Sequence, residues 1–385
     1  MPFATRVPRL ASGCIALAVL FSSVYLAVRR SRRKAIRARL PQDLLSWREP
    51  LDKNGKLDVA VWDCLSDHFQ RRGYTFWRRA QRMLRQDLDP PKVVSLRGFG
   101  YARAHEGWDR MSNFDFLHEF NYPTHAVHAA NTREGQAVVI RVLAVGNQGC
   151  DHVTILRFIA STYHATASRN HALPLLNVSY FEDILFGIFP MVGQDLRDLL
   201  YPFRKNSVGD IVDIIMQCLE ALDYIHGENI AHRDAYKENF LLQYYPQSLV
   251  NDPLRITRPR VFLHDFEVSV MFENLPREKH LCIGVPQGGT VPFSPDFNGR
   301  ASPEVLTGEP YCPYKLDVWQ LGKSFTDFKS TVPAIDAILE RMHEPDPALR
   351  PTASEALGQL ADFVAATPPR DLLIPPTTPH SHPPS

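Results

Sequence analysis

The chain has 385 residues, 44% hydrophobic and 22% charged, the profile of a globular protein long enough for one large or two fused domains. Its formal charge of +1 conceals an asymmetry: residues 1–40 hold nine of the 43 Lys and Arg and no acid, so the other 34 cations face 42 acids, −8 over residues 41–385. An acidic body speaks against nucleic acid as a partner, because phosphate contacts need clustered cations. The six cysteines lie far apart without a C-x-x-C pair, which suggests neither a zinc site nor a disulfide framework but free thiols in a reducing compartment.

The stretch LASGCIALAVLFSSVYLAV, 10–28, carries no charge over 19 residues, sufficient as a helix to cross roughly 30 Å of hydrocarbon at about 1.5 Å per residue. Seven cations follow at once: Arg29, Arg30, Arg32, Arg33, Lys34, Arg37 and Arg39. Basic residues are retained on the cytoplasmic side, so residues 1–40 are expected to form a single-pass membrane anchor with the body of the chain in the cytosol. A cleaved signal would show a small-residue cleavage site in place of those cations.

Residues 41–114 are expected to be an extension without chemistry of its own. Within it, RRGYTFWRRAQRM (71–83) interleaves aromatic and basic residues and is expected to pack as a half-buried helix rather than to touch lipid headgroups. AVVIRVL, 137–143, is a β-branched run preceded by a turn at Arg133–Gly135, the pattern of a buried strand. Residues 152–163 have a helical pattern. From Val208 the period becomes 3.6, with Ile211, Ile214, Ile215, Cys218, Leu222 and Ile225 on one face, Asp210 able to cap the start and Gly227 to end the helix. Two short apolar runs follow, FLL (240–242) and VFLHDF (261–266), and helical patterns dominate from Leu316 to Ala365. The tail, 367–385, is Pro-rich and expected to be disordered.

The long helix delivers the chain to AHRDAYKENFLL, 231–242. H-R-D-x-x-x-x-N followed by HDFE (264–267), Ser302-Pro303-Glu304, DVWQLG (317–322) and Arg350-Pro351-Thr352 form an ordered series that resembles the eukaryotic protein kinase superfamily over roughly 115–365. The resemblance implies an α+β fold of two lobes, a small β-rich N-lobe (115–190) and a larger helical C-lobe (191–366), with ATP and Mg²⁺ as cofactors and a protein as substrate or docking partner. It implies that Asp234 accepts the substrate hydroxyl proton, that Asn239 and Asp265 hold metal, and that Arg233 receives a phosphate on the activation segment, with Ser269, Thr290 and Ser294 as candidates. Glu304 and Arg350 resemble the family's buried ion pair, and Asp317 the residue that ties down the catalytic loop.

The N-lobe departs from the family pattern. Arg141 stands where the phosphate-anchoring Lys belongs, a swap that keeps charge but changes shape. EFNYPTHAVHAA (119–130) has no glycine where backbone N–H groups should approach phosphates; His125 and His128 are either substitute donors or packing residues. Asp151 or His152 occupies the place of the Glu that pairs with the strand cation. In the C-lobe, Lys237 follows the catalytic Asp one step late, behind Tyr236, and is assigned to the nucleotide with Arg141, Asp265 and Asn239; Glu267 replaces the Gly of D-F-G. A narrower likeness, through the long loop YYPQSLVNDPLRITRPR, is to fungal kinase-like proteins of the basidiomycete type with an eroded N-lobe. Three functions stay open: a slow, membrane-anchored Ser/Thr kinase, a pseudokinase that docks partners, and a small-molecule phosphotransferase of the choline or aminoglycoside type.

Overall fold

The computed structural model describes residues 9–48, 60–80, 83–85, 119–120, 124–161, 163–192, 195–197, 206–243, 260–286 and 301–377. Helix α1 (Arg9–Arg39) runs into the short helices α2 (Leu44–Arg48), α3 (Ala60–Asp63) and α4 (Ser66–Gln70). A five-stranded antiparallel sheet follows, in the order β1 (Thr75–Phe76), β5 (Val127–Asn131), β6 (Ala137–Val145), β8 (Ile184–Pro190), β7 (Asn177–Phe181). A smaller sheet joins β2 (Arg78–Ala80), β3 (Met83–Arg85) and β4 (Glu119–Phe120). Helix α5 (Cys150–Ile159) crosses from β6 to β7, and the helical half of the chain is built on α6 (Val208–Gly227), α7 (Pro303–Leu306), α8 (Pro313–Ser324), α9 (Pro333–Met342) and α10 (Ala353–Ala366).

The sheet follows its sequence pattern. Residues of β6 alternate between inner and outer face over Ala137–Val142 before both faces become covered, and β8, ILFGIFP, is buried along almost its whole length. These are the β-branched and aromatic runs expected of a strand with apolar neighbours. The N-lobe begins earlier than the expected 115. Thr75 and Phe76 pair with Asn131 and Ala130 at the sheet edge, and Trp77 is buried, its indole N–H donating to Asn131 Oδ1 at 3.0 Å. The segment read as a half-buried helix is therefore strand. Its aromatics at 74, 76 and 77 fit the sheet edge and core, where one register places Phe76 among Trp62, Phe69 and His128.

The extension also supplies core. Leu40, Leu44, Trp47, Trp62, Leu65 and Phe69 pack with Ile140, Val142 and Phe186 in one apolar cluster. Gly149, at φ +86°, makes this contact close: a Cβ there would lie 2.2 Å from the Leu143 carbonyl oxygen and 3.1 Å from Leu44 Cδ2, so only glycine fits.

In the C-lobe, α6 starts from a capping box in which the Ser207 hydroxyl accepts from the Asp210 N–H and the Asp210 carboxylate accepts from the Ser207 N–H. Asp210 is thus the third helical residue of the cap, with Ser207 as the N-cap itself. The tail departs from expectation up to its last residues. Leu372 is buried against Gly209, and Val208 N–H donates to the Ile374 carbonyl at 2.8 Å. Two apolar residues between prolines thereby satisfy a backbone donor at the α6 start that helix geometry leaves open; residues 378–385, with Thr378-Pro379, lie outside the described residues.

The membrane span expected at 10–28 is likewise not found: among the described residues, no helix is long and apolar enough to cross a membrane. The side chains of 9–18 lie outside the description. From Val19 to Val28 the helix exposes Val19, Leu20, Phe21, Val24, Tyr25, Leu26 and Val28, then docks on the β7–β8 turn through ion pairs of Arg33 with Glu182 and Arg37 with Asp183.

Candidate active site

Two antiparallel pairs bring the motif loops side by side. β9 (Ile230–Ala231) pairs with β12 (Val270–Met271), and β10 (Phe240–Gln243) with β11 (Arg260–Leu263). The H-R-D loop runs from β9 to β10 and the D-F-E segment from β11 to β12. Closing one pair therefore forces the two loops together. Phe240 stands opposite Leu263, and beyond it the Asn239 carbonyl accepts the His264 N–H at 3.0 Å, one residue from Asp265.

The loop is fastened from below by α8. Asp317, fully buried, accepts from the His232 N–H at 2.8 Å, from the Arg233 N–H at 2.6 Å and from His226 Nε2 at 2.9 Å. Gln320 adds a second pair, accepting from the Ala235 N–H and donating to the Arg233 carbonyl. These bonds hold Arg233 at φ +66°, a backbone state uncommon for a residue with a side chain. The Arg233 guanidinium reaches the Val268 carbonyl, with Tyr311 Oη at 3.5 Å. Ser269 donates its hydroxyl to the His232 carbonyl, whereas Thr290 and Ser294 lie outside the described residues, as does the long loop after Gln243. Further out, Arg350 grips Glu304 with both guanidinium nitrogens, at 2.6 and 2.9 Å.

Asn239 spends its amide N–H groups on Asp234, donating to the carboxylate and to the carbonyl, each at 2.7 Å. Its Oδ1 is the atom left over. Together with the Asp265 carboxylate this is a hard oxygen donor set, which would suit a hard cation such as Mg²⁺ and no soft metal. No cluster of three or more His, Cys, Asp or Glu suited to a metal occurs among the described residues; Asp265 and Asn239 are the oxygen donors that would hold a cation here. Such a cation would neutralise charge on the transferred phosphoryl group.

Arg141 projects from β6 to this same place. Its Nη2 donates to Asp265 Oδ1 at 2.8 Å and pairs with Glu267 Oε1, which also receives Arg48 Nη2 at 3.1 Å. The four side chains form one buried cluster: Arg48 is 6% exposed, Glu267 2%, Arg141 15% and Asp265 21%. Burial opposes the charge on Arg141, and the two carboxylates outweigh it, so the guanidinium stays charged. Burial also pushes Asp265 upward, but Arg141 beside it wins and holds the carboxyl well below the usual carboxylate range. Glu267 sits above its usual range because burial dominates there.

The expected acid of α5 is absent from this cluster. Asp151 faces solvent, while His152 is buried and, through burial first and the nearby Arg141 second, pushed down to about 3, hence neutral. Glu267 takes over the counter-charge to the strand cation. His128 is core: its ring lies 5.0 Å from Trp62 and 4.6 Å from Phe76, its Nδ1 bonds the Ala129 carbonyl, and burial pushes it down to about 4. The His125 carbonyl accepts the Trp62 indole N–H. Lys237, assigned to the nucleotide from its spacing, is instead engaged by Asp327 at 2.5 Å with its ammonium over the Phe325 ring. Spacing missed Arg48 altogether. The usable signal was weak, an arginine following LLSW, whose apolar residues demand burial.

The protein kinase domain family model matches residues 126–334, more than half of the chain. The chain belongs to the protein kinase family. Among its relatives, the probable serine/threonine-protein kinase KIN1 homolog of Encephalitozoon cuniculi is 27% identical over 202 residues, 50% of this chain and 31% of that protein. A protein of Acanthamoeba polyphaga mimivirus that bears a serine/threonine-protein kinase name is 26% identical over 269 residues, 59% of this chain and 85% of its own. Human calcium/calmodulin-dependent protein kinase type IV is 31% identical over 132 residues, 34% of this chain and 23% of its own. The chain thus spans under a third of the first and third of these relatives. ATP, a divalent metal and a protein substrate are what membership of this family implies.

Proposed function

We propose that this protein transfers the γ-phosphoryl group of ATP to serine or threonine hydroxyls of proteins, slowly, from a membrane surface. The observation that carries the chemistry is the joined set Asp234–Asn239–His264–Asp265: the proton acceptor is hydrogen-bonded to one oxygen donor for metal, and the backbone of that donor is bonded next to the other. Slowness follows from the ion cluster, since Arg141 must leave Asp265 before either can serve a nucleotide, and catalysis of this type is positioning and charge neutralisation. Asp234 is the catalytic base, Asn239 and Asp265 hold Mg²⁺, Arg141 faces phosphate, and Arg233 orders the activation segment. The narrower likeness within the family is to fungal kinase-like proteins with an eroded N-lobe.

For the membrane, the support is the uncharged stretch 10–28, the exposed apolar residues of α1 and the cations behind them. The kinase domain would then lie in the cytosol. An anchored protein stays in the membrane pellet through carbonate extraction, and release into the supernatant would refute the anchor.

Transfer is tested with radiolabelled ATP and a general protein substrate on the full chain in detergent, because removal of the first 40 residues would take away Leu40, Arg33 and Arg37, which pack on the N-lobe. Label should appear on protein and fall about 10²–10⁴-fold in Asp234→Asn. Label that survives this substitution, or that goes to added amino alcohols and not to protein, rejects the kinase assignment. A second reading, a docking module without chemistry, has the Arg141–Asp265 pair in its favour, since that contact occupies a metal ligand. It predicts nucleotide binding with no transfer by the unaltered chain.

A further inference from the structure

We infer that Arg48, which lies 78 residues before the first residue matched to the kinase domain, is a positioning residue of the nucleotide site, and that the segment around it belongs to the machinery of that site. This deepens the kinase reading and rests on it.

The segment is built in. Leu44 N–H donates to Gln148 Oε1 at 2.7 Å, in the turn before α5. Trp47 is fully buried edge-on to Trp62 and Phe186, at centroid distances of 5.9 and 6.2 Å. With Trp47 buried and Leu44 against Gly149, the next residue, Arg48, lies beside the D-F-E segment and meets Glu267 there.

The cluster contains two cations and two acids, with Glu267 Oε1 shared by both arginines and Asp265, among the described residues, ion-paired with Arg141. When a nucleotide arrives, Arg141 has to turn from the carboxylates toward phosphate, and Asp265 toward the metal. Glu267, 2% exposed, would then be a buried carboxyl without a counter-charge if Arg141 were its sole partner, and it would have to stay stranded or take up a proton, either of which adds to the cost of binding a nucleotide. Arg48 removes that obstacle. It stays on Glu267 while Arg141 changes partner, so the cluster can open without stranding a charge. The helix beside the cluster presents neutral His152 to it and no acid; this chain places the acid at 267 and brings its second counter-ion from outside the residues matched to the kinase domain.

The test is a double-mutant cycle on the full chain in detergent, reading affinity for Mg-ATP and for adenosine, with thermal melting as a control for folding. Arg48→Ala should weaken ATP roughly tenfold relative to adenosine, because Arg141 is then locked between two carboxylates. Arg48→Lys should keep the ratio within about threefold, and Glu267→Gln added to Arg48→Ala should restore it by releasing Arg141. Should Arg48→Ala fail to fold, the double variant, which carries no unpaired buried charge, gives the answer by binding ATP with the normal ratio. The inference is overturned if Arg48→Ala leaves the ratio unchanged, lowers both affinities alike, or is not rescued at 267. If the unaltered chain binds neither ligand, the kinase reading itself has failed and the inference falls with it, a result distinct from all of these.

Discussion

The two lobes position their functional groups by different physics. In the C-lobe one buried carboxylate, Asp317, collects two backbone N–H groups and a histidine, and Gln320 adds both a donor and an acceptor. All of these bonds but the one to His226 fix main chain, and none has to break for chemistry. The N-lobe side holds its groups by ion pairs among Arg48, Glu267, Arg141 and Asp265, and at least one of them must exchange when phosphate enters. A catalytic loop needs one geometry throughout, so backbone bonds to a rigid helix suit it. A phosphate anchor needs two, and paired charges of equal number permit the swap.

The largest effect expected from this contrast is at Asp317. Asp317→Ala leaves the His232 and Arg233 N–H groups buried without acceptors, each worth about 1–3 kcal/mol, so stability should fall by roughly 2–6 kcal/mol. Thermal or denaturant melts followed by Trp319, which sits on α8, should record it. Equal stability of the variant and the parent would mean that the loop is held by something other than α8, and the contrast between the lobes would collapse.

Of similar size is an acid response, most of it in the N-lobe. His128 and His152 are pushed down by burial to about 4 and about 3 from 6.5, as are His68 on α4 to about 3 and, in the C-lobe, His264 to about 4. The unfolded chain therefore takes up protons near pH 6.5 that the folded chain refuses until far lower. Stability is fully present above pH 6.5 and is lost as pH falls below it, by about 1.4 kcal/mol per histidine at pH 5.5, or about 6 kcal/mol for the four. Melts at pH 7.5 and 5.5 should show this drop, and His128→Phe should remove about a quarter of it. A parent protein indifferent to this change of pH would show that these histidines are hydrated or already charged.

The same contrast explains how much of the molecule could be read from its residues. The catalytic loop, D-F-E, S-P-E and D-V-W-Q-L-G are contiguous words whose internal spacing is their geometry, so the C-lobe scaffold was legible. The Asp327 partner of Lys237 was not legible, because proximity in sequence to Asp234 says nothing of a residue ninety positions on. The Arg48–Glu267 pair joins positions 219 apart, and no periodicity encodes such a contact. Strand β1 is two residues long, too short to alternate visibly among arginines. In each case the deciding term was tertiary burial, which overrides local pattern.

The smallest effect concerns the tail, where the C-lobe borrows a contact from outside its expected bounds. Leu372→Ala empties a buried site, and core truncations of this kind often remove about 2–5 kcal/mol. Here the loss has a ceiling, because residues 368–377 can detach from α6 as a strip once the contact is weak. Its size cannot exceed what docking of the strip contributes, about 3–4 kcal/mol for one buried leucine, a backbone bond to Ile374 and the paired backbone bonds of Thr377 with Lys329. Leu372→Ala and a chain ending at Ala366 should therefore melt at the same temperature, and trypsin should cut at Arg370 faster in the point variant. A point variant less stable than the truncated chain would show that the tail is an inseparable part of the core.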